Sequence, residues 1–161
     1  LLHILHCSAK ICNRSTKPLE MTILYESLCP DSQVYIKKLW PVYRKYHRCI
    51  NLHLVPYGKA SPSNSAPFGH VCQHGDPECW GNLMHDCAIH SNLNQFEQMK
   101  FVSCQMEDLQ LTKTKSSTCT RAFKIMDPVE HCMGPSGTGY QLQTESSIIT
   151  KRYSFSEIPA I

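Results

Sequence analysis

The sequence predicts an α/β domain that carries a helical, disulfide-rich insertion. Three observations lead there: residues 21–57 read as strand, helix, strand; six cysteines crowd between residues 72 and 132; and ten cysteines in 161 residues far exceed what a reducing compartment tolerates. A chain of this length suits one domain with its own core. Its formal charge is +3, with no run of Lys or Arg longer than two residues, which argues against nucleic-acid binding. Nine histidines would add positive charge in an acidic compartment. No segment approaches the roughly 18–20 continuous apolar residues that a membrane span requires.

Taken in order, Met21-Thr22-Ile23-Leu24-Tyr25 is short, apolar and partly β-branched, the pattern of a buried strand. Cys29-Pro30-Asp31-Ser32 then opens an amphipathic helix with apolar residues at Val34, Tyr35, Leu39, Trp40, Val42, Tyr43 and Tyr46. Pro30 fits the first turn, where its missing N–H costs nothing, and Asp31 sits near the positive end of the helix dipole. Pro41 is expected to kink this helix. Residues 50–57 alternate and stop at Pro56, a second strand. A strand, a crossover helix and a strand make a parallel unit. Residues 58–69 have the Ser, Pro, Asn and Gly content of a loop. Between Cys79 and Met106 the chain is poor in Gly and Pro, with apolar residues at Leu83, Cys87, Ile89, Leu93, Phe96, Met99 and Val102, so one or two helices are expected. A further helix is expected over 117–126, ended by Asp127-Pro128. Residues 134–139 read as a turn and 140–152 as a last helix.

Residues 1–18 read as a leader remnant or disordered tail, and 19–161 as the domain, with its insertion at about 59–135. Asn13-Arg14-Ser15 is a glycosylation sequon. With Cys29 set aside, the insert's Cys72, Cys79, Cys87, Cys104, Cys119 and Cys132 allow three bridges in any of fifteen connectivities. Cys12 with Cys49 would complete the pairing if Cys7 belongs to the leader. A zinc site from Cys72, His74, Cys79, His85, Cys87 and His90 is disfavoured, because the cysteine spacing lacks the short knuckle of structural zinc modules. No metal ligand is assigned. Glu78 and Asn82 read as cap and turn residues that fix the insert.

The most specific pattern is Cys72-Gln73-His74-Gly75, two residues, Glu78-Cys79, two residues, Asn82, four residues, Cys87. It resembles, at every fixed position, the signature of the gamma-interferon-inducible lysosomal thiol reductase family. The likeness extends from Tyr25-Glu26-Ser27-Leu28-Cys29 through residues 54–58 to Ile158-Pro159. It implies a thioredoxin-like fold with a helical, disulfide-bearing insertion, and reduction of protein disulfides in the lysosome or elsewhere along the secretory pathway. Ile158-Pro159 resembles the cis-proline element that lies against the active cysteine in such folds, so Pro159 is expected to face substrate, with His74 beside it. Only Ala160 and Ile161 follow, and the sequence reads as a thioredoxin-like domain truncated at its C-terminus.

The departure from that pattern is Ser32, which stands where a second cysteine is usual. In a two-cysteine site the first thiolate attacks the substrate and the second, one turn on, resolves the mixed disulfide. Ser32 has no sulfur for that step. Its hydroxyl is expected to hydrogen-bond the Cys29 thiolate, which the helix N-terminus favours and Asp31 opposes. An ordinary thiol of pKa about 8.5 is only about one part in several thousand thiolate at pH 5, so such help matters in acid. The expected function is reduction or isomerisation of disulfide-containing protein substrates by Cys29, with no bound cofactor and an external thiol such as glutathione or cysteine as reductant. A non-catalytic secreted or lysosomal binding protein on the same scaffold is the alternative.

Overall fold

A computed structural model describes residues 17–107 and 118–161. Cys7, Cys12, Asn13 and most of the expected leader lie outside the described residues. The strands β1 (Leu19–Tyr25) and β2 (Ile50–Pro56) pair in parallel, from Leu19 opposite Ile50 to Tyr25 opposite Pro56. Between them runs α1 (Pro30–Tyr46), with Pro30 in its first turn; the helix continues through Pro41. Its buried stripe is Ser32, Ile36, Leu39 and Tyr43, a spacing of four, three and four residues that stays on one face. Val34, expected on that face, is 48 % exposed, and Ile36 fills the position instead. On the free side of β1, Ala160 makes an antiparallel bridge to Leu24, immediately after a cis peptide bond between Ile158 and Pro159.

Successive side chains of a strand leave on opposite faces, and this divides the core. Ile23, Tyr25, Leu52 and Leu54 join α1 and the insert helices in the larger cluster. Leu24 and Val55 join Cys29, Tyr57 and Ile158 in a smaller one. Cys29 therefore belongs to the minor core.

Residues 58–69 are not loop throughout: β3 (Ser61–Pro62) pairs antiparallel with β4 (His70–Val71). Two insert helices follow, α2 (Asp76–Ile89) and α3 (Gln95–Gln105), the latter opened by an Asn94/Glu97 capping box. After a helical turn over 118–122, α4 (Met126–Met133) and α5 (Gly139–Thr150) complete the described elements. The expectation that Asp127-Pro128 ends a helix is corrected, since both lie in the first turn of α4. There Pro128 has no intrahelical acceptor to miss, and Asp127 favours the dipole.

Helix α2 is buried nearly all round, from Glu78 to Ile89. Its buried polar residues are each tied to a different element. Asn82 Oδ1 accepts from the Ser27 N–H at 2.8 Å. The Tyr25 hydroxyl and His85 Nδ1 share a hydrogen bond of 3.0 Å. Asp86 accepts from Gln143 at 2.6 Å and from Ser146 at 2.9 Å, both on α5. Disulfides add Cys72–Cys79 at the start of α2, Cys87–Cys132 from α2 to α4, and Cys104–Cys119. Cys49 is also disulfide-bonded; Cys12, its expected partner, is outside the described residues. Among the described residues, no helix is long and apolar enough to cross a membrane.

Candidate active site

Cys29 is the free cysteine among the described residues. It forms the N-cap of α1 with extended backbone angles, so its side chain leaves the chain just where the helix begins. Its N–H donates to the Glu26 carbonyl at 3.3 Å, and its own carbonyl accepts from Gln33 at 3.0 Å. The residue is 7 % exposed, and its sulfur lies 3.9 Å from the Ile158 carbonyl oxygen. A cleft of about 290 Å³ opens over it, lined by Pro30, Asp31, Lys59, Gln73, His74, Glu157 and Ile158 as well as Cys29. Four separate segments thus meet at one thiol: the start of α1, Lys59 beyond β2, the Cys72–Cys79 loop and the stretch before Ala160. Pro159 is partly buried behind Ile158, and Ile158 is the one that lines the cleft.

The expected hydrogen bond between Ser32 and the thiolate is replaced by another. Ser32 is fully buried and its Oγ accepts from the Glu26 N–H at 3.3 Å. Its position in the buried stripe of α1 turns the hydroxyl back toward the strand end, away from the cleft.

The turn that delivers Cys29 is held by α2. The Ser27 N–H donates to Asn82, and the Ser27 hydroxyl donates to the Glu78 carbonyl at 3.1 Å. Asn82 and Glu78 are therefore more than caps: they fix the approach to the cysteine. The Cys72–Cys79 bridge closes the loop that carries His74. Glu78 Oε1 accepts the His74 backbone N–H at 3.0 Å, and Oε2 lies 2.6 Å from the ring Nδ1.

Sequence reasoning missed Glu26. It is fully buried, its Oε1 accepts from the Lys59 N–H at 2.7 Å, and its Oε2 lies 3.8 Å from His74 Nδ1. Burial pushes the Glu26 carboxyl up from its ordinary range; the Lys59 N–H opposes this and nearby Glu78 adds to it. A signal was present, because a carboxylate inside an otherwise apolar strand end, three residues before the cysteine, has to be either neutralised or partnered.

Chemically the arrangement offers one thiol at a helix N-terminus, a cleft over it, and a His–carboxylate cluster at its side. A family model described as gamma interferon inducible lysosomal thiol reductase matches residues 20–123. The chain is 38 % identical over 100 residues to a gamma-interferon-inducible lysosomal thiol reductase-like protein of Anopheles gambiae, covering 55 % of this chain and 42 % of that one. It is 33 % identical over 105 residues to GILT-like protein 1 of Drosophila melanogaster, covering 58 % and 42 %. With the gamma-interferon-inducible lysosomal thiol reductase of Mus musculus it shares 29 % over 139 residues, covering 83 % and 54 %. The chain thus spans about half or less of the length of these relatives.

Proposed function

The chain belongs to the gamma-interferon-inducible lysosomal thiol reductase family, and from that premise we propose that it is a thiol–disulfide oxidoreductase with Cys29 as nucleophile. Its substrates are disulfide-bonded proteins, and its compartment is an acidic, lysosomal or extracellular part of the secretory route. The observation that carries the reading is a free thiol at a helix N-cap, under a cleft, in a chain whose other described cysteines are bridged. The names of the relatives support the reaction class and the lysosome, and the disulfides fit an oxidising route. Parallel β1 and β2 around α1, with a cis-proline segment returning to β1, support a thioredoxin-like scaffold.

The Cys29 thiolate attacks one sulfur of the substrate disulfide. That S–S bond breaks, a mixed disulfide forms, and the other substrate sulfur leaves as a thiolate that takes up a proton. Ser32 cannot perform the second exchange. A small thiol of the glutathione or cysteine class therefore attacks the mixed disulfide, freeing the second substrate thiol and leaving itself bound to Cys29. A second small thiol then restores Cys29 and departs as the small-molecule disulfide. When the substrate's own released thiolate returns to the mixed disulfide instead, the result is isomerisation.

One observation favours the competing reading of a non-catalytic binding protein: Ser32 is buried where a resolving sulfur would be needed. The two readings separate on turnover of a disulfide-bonded protein at about pH 5 with added small thiol. Cys29→Ala is expected to abolish turnover, and Ser32→Cys to make the rate less dependent on small-thiol concentration. An unchanged rate in Cys29→Ala rejects the reductase reading and leaves the binding protein.

A further inference from the structure

Glu26, His74 and Glu78 pose a charge problem that the hydrogen bonds do not solve. Both carboxylates are buried, with 1 % and 0 % of their side chains exposed, and their ion-pair partner among the described residues is His74, 33 % exposed. Burying two carboxylates against at most one imidazolium is costly. One oxygen of each is already committed to a backbone donor, Glu26 Oε1 to Lys59 and Glu78 Oε1 to His74. The second oxygens point at the same place. One ligand atom from each of Glu26, His74 and Glu78 lies within 4.8 Å of the others, and His74 Nδ1 is 3.8 Å from Glu26 Oε2 and 2.6 Å from Glu78 Oε2. Independently of that clustering, Glu26 Oε2 is a buried oxygen with no hydrogen-bond partner, a rare and expensive state unless something else is bound there.

We propose that Glu26 Oε2, His74 Nδ1 and Glu78 Oε2 form a binding site for one divalent first-row cation of the zinc class, beside Cys29. Two carboxylates balance the charge of such an ion, and a mixed nitrogen and oxygen set suits it, whereas calcium and magnesium favour oxygen alone and more of it. The backbone bonds to the opposite oxygens aim the carboxylates before any ion arrives, as the outer contacts of built metal sites do. Gly58 leaves the space: a Cβ there would overlap the Glu26 side chain. Binding requires the hydrogen bond between His74 Nδ1 and Glu78 Oε2 to open: the neutral ring carries its one proton on Nε2, and Nδ1 and Oε2 then both face the cation. The open side of the site gives onto the cleft that His74 and Cys29 both line. Cys72, Cys79 and Cys87, considered as zinc ligands from the sequence, are held in disulfides, so this is a different donor set.

The proposal is independent of whether Cys29 turns over, and binding rather than activity tests it. The 161-residue chain, oxidised and freed of metal by a chelator, is titrated with Zn²⁺ by calorimetry near neutral pH, with Co²⁺ absorption as a second readout of the ligand field. One ion per chain is expected. Glu26→Gln, Glu78→Gln and His74→Ala should each weaken binding at least about tenfold, while His53→Ala and Cys29→Ala bind as the parent does. His74→Ala keeps the test decisive if a buried carboxylate variant fails to fold, since its ring is partly exposed. Absence of stoichiometric binding overturns the site, as does parental binding in His74→Ala or loss confined to Cys29→Ala, which would mean a thiol-held ion.

Discussion

The two ends of α2 treat buried polar groups in opposite ways. At its C-terminal end His85 and Asp86 are buried and hydrogen-bonded, to Tyr25 on β1 and to Gln143 and Ser146 on α5. At its N-terminal end Glu78 shares His74 with Glu26, and both Glu26 Oε2 and Asn82 Nδ2 lack hydrogen-bond partners. A closed network rigidifies a core, while an open one facing a cleft holds capacity for a ligand or a proton. The contrast separates architecture from chemistry along a single helix.

The largest expected effect comes from cutting the staple at each end. Closing a loop of 45 residues, Cys87–Cys132 is worth about 4 kcal/mol by chain entropy, against about 2.5 kcal/mol for the seven-residue Cys72–Cys79 loop. Replacing both members of each pair by Ser should therefore lower the urea midpoint more for Cys87/Cys132. Turnover and Zn²⁺ affinity, compared at equal folded fraction, should suffer more for Cys72/Cys79, because that bridge holds the loop of Gln73 and His74. Equal functional loss from both pairs would erase the distinction between the ends.

A smaller effect reads the sealed end through pH. Burial pushes the Asp86 carboxyl up to about 8, a rise that Ser146 and Gln143 oppose and Glu145 assists. Burial also pushes His85 down to about 3. Folded Asp86 keeps a proton that the unfolded chain gives up above its ordinary 3.8, so its contribution is full below about pH 4 and is lost as pH rises to about 8. Folded His85 stays neutral while the unfolded chain protonates below 6.5, so its contribution is full above that and is lost as pH falls to about 3. Between about pH 6.5 and 4 the two slopes, each roughly 1.4 kcal/mol per pH unit, offset each other. Asp86→Asn removes one of them. Its denaturant midpoint should fall steadily from about pH 6.5 toward about 4.5, where the parent's contribution from this pair is level. A variant as level as the parent would show that the pair does not titrate with folding.

What the sequence made legible follows from where periodicity governs. β1, α1 and β2 announce themselves because one face of each is apolar, and the cysteine density of the insert points to bridges whatever their pairing. The failures share a cause: contacts distant in the chain. Val34 looks like a core residue in a helical stripe, but α1 meets the sheet through Ile36, and only the partner surface decides between them. Asp127-Pro128 stops a helix or starts one depending on which side packs, and here Val129 is buried after it. Helical spacing puts Ser32 on the same face as the thiol, whereas the Glu26 N–H claims its oxygen. Glu26 itself became a site residue only when Lys59 and His74, 33 and 48 positions away, were brought to it.

The finest comparison uses two glycines, both at the open end and both at positive φ. Gly75, at φ +77°, caps α2, and an added Cβ would meet only Pro77 Cδ at 3.7 Å. Gly58, at φ +54°, would drive its Cβ into Glu26 Cγ, Cδ and Oε1. Gly75→Ala therefore carries only backbone strain, that of a positive φ with ψ of −171°, about 1 to 3 kcal/mol. Gly58→Ala carries the strain of its own positive φ plus the displacement of a buried carboxylate from the Lys59 N–H, about 2 to 3 kcal/mol in all. The second readout is sharper than the first. Zn²⁺ affinity should survive Gly75→Ala and drop in Gly58→Ala, although neither residue carries a ligand atom. If calorimetry finds the two variants alike, the space beside Gly58 does not position Glu26, and the open end of α2 owes its unpartnered oxygen to something other than the fold of that turn.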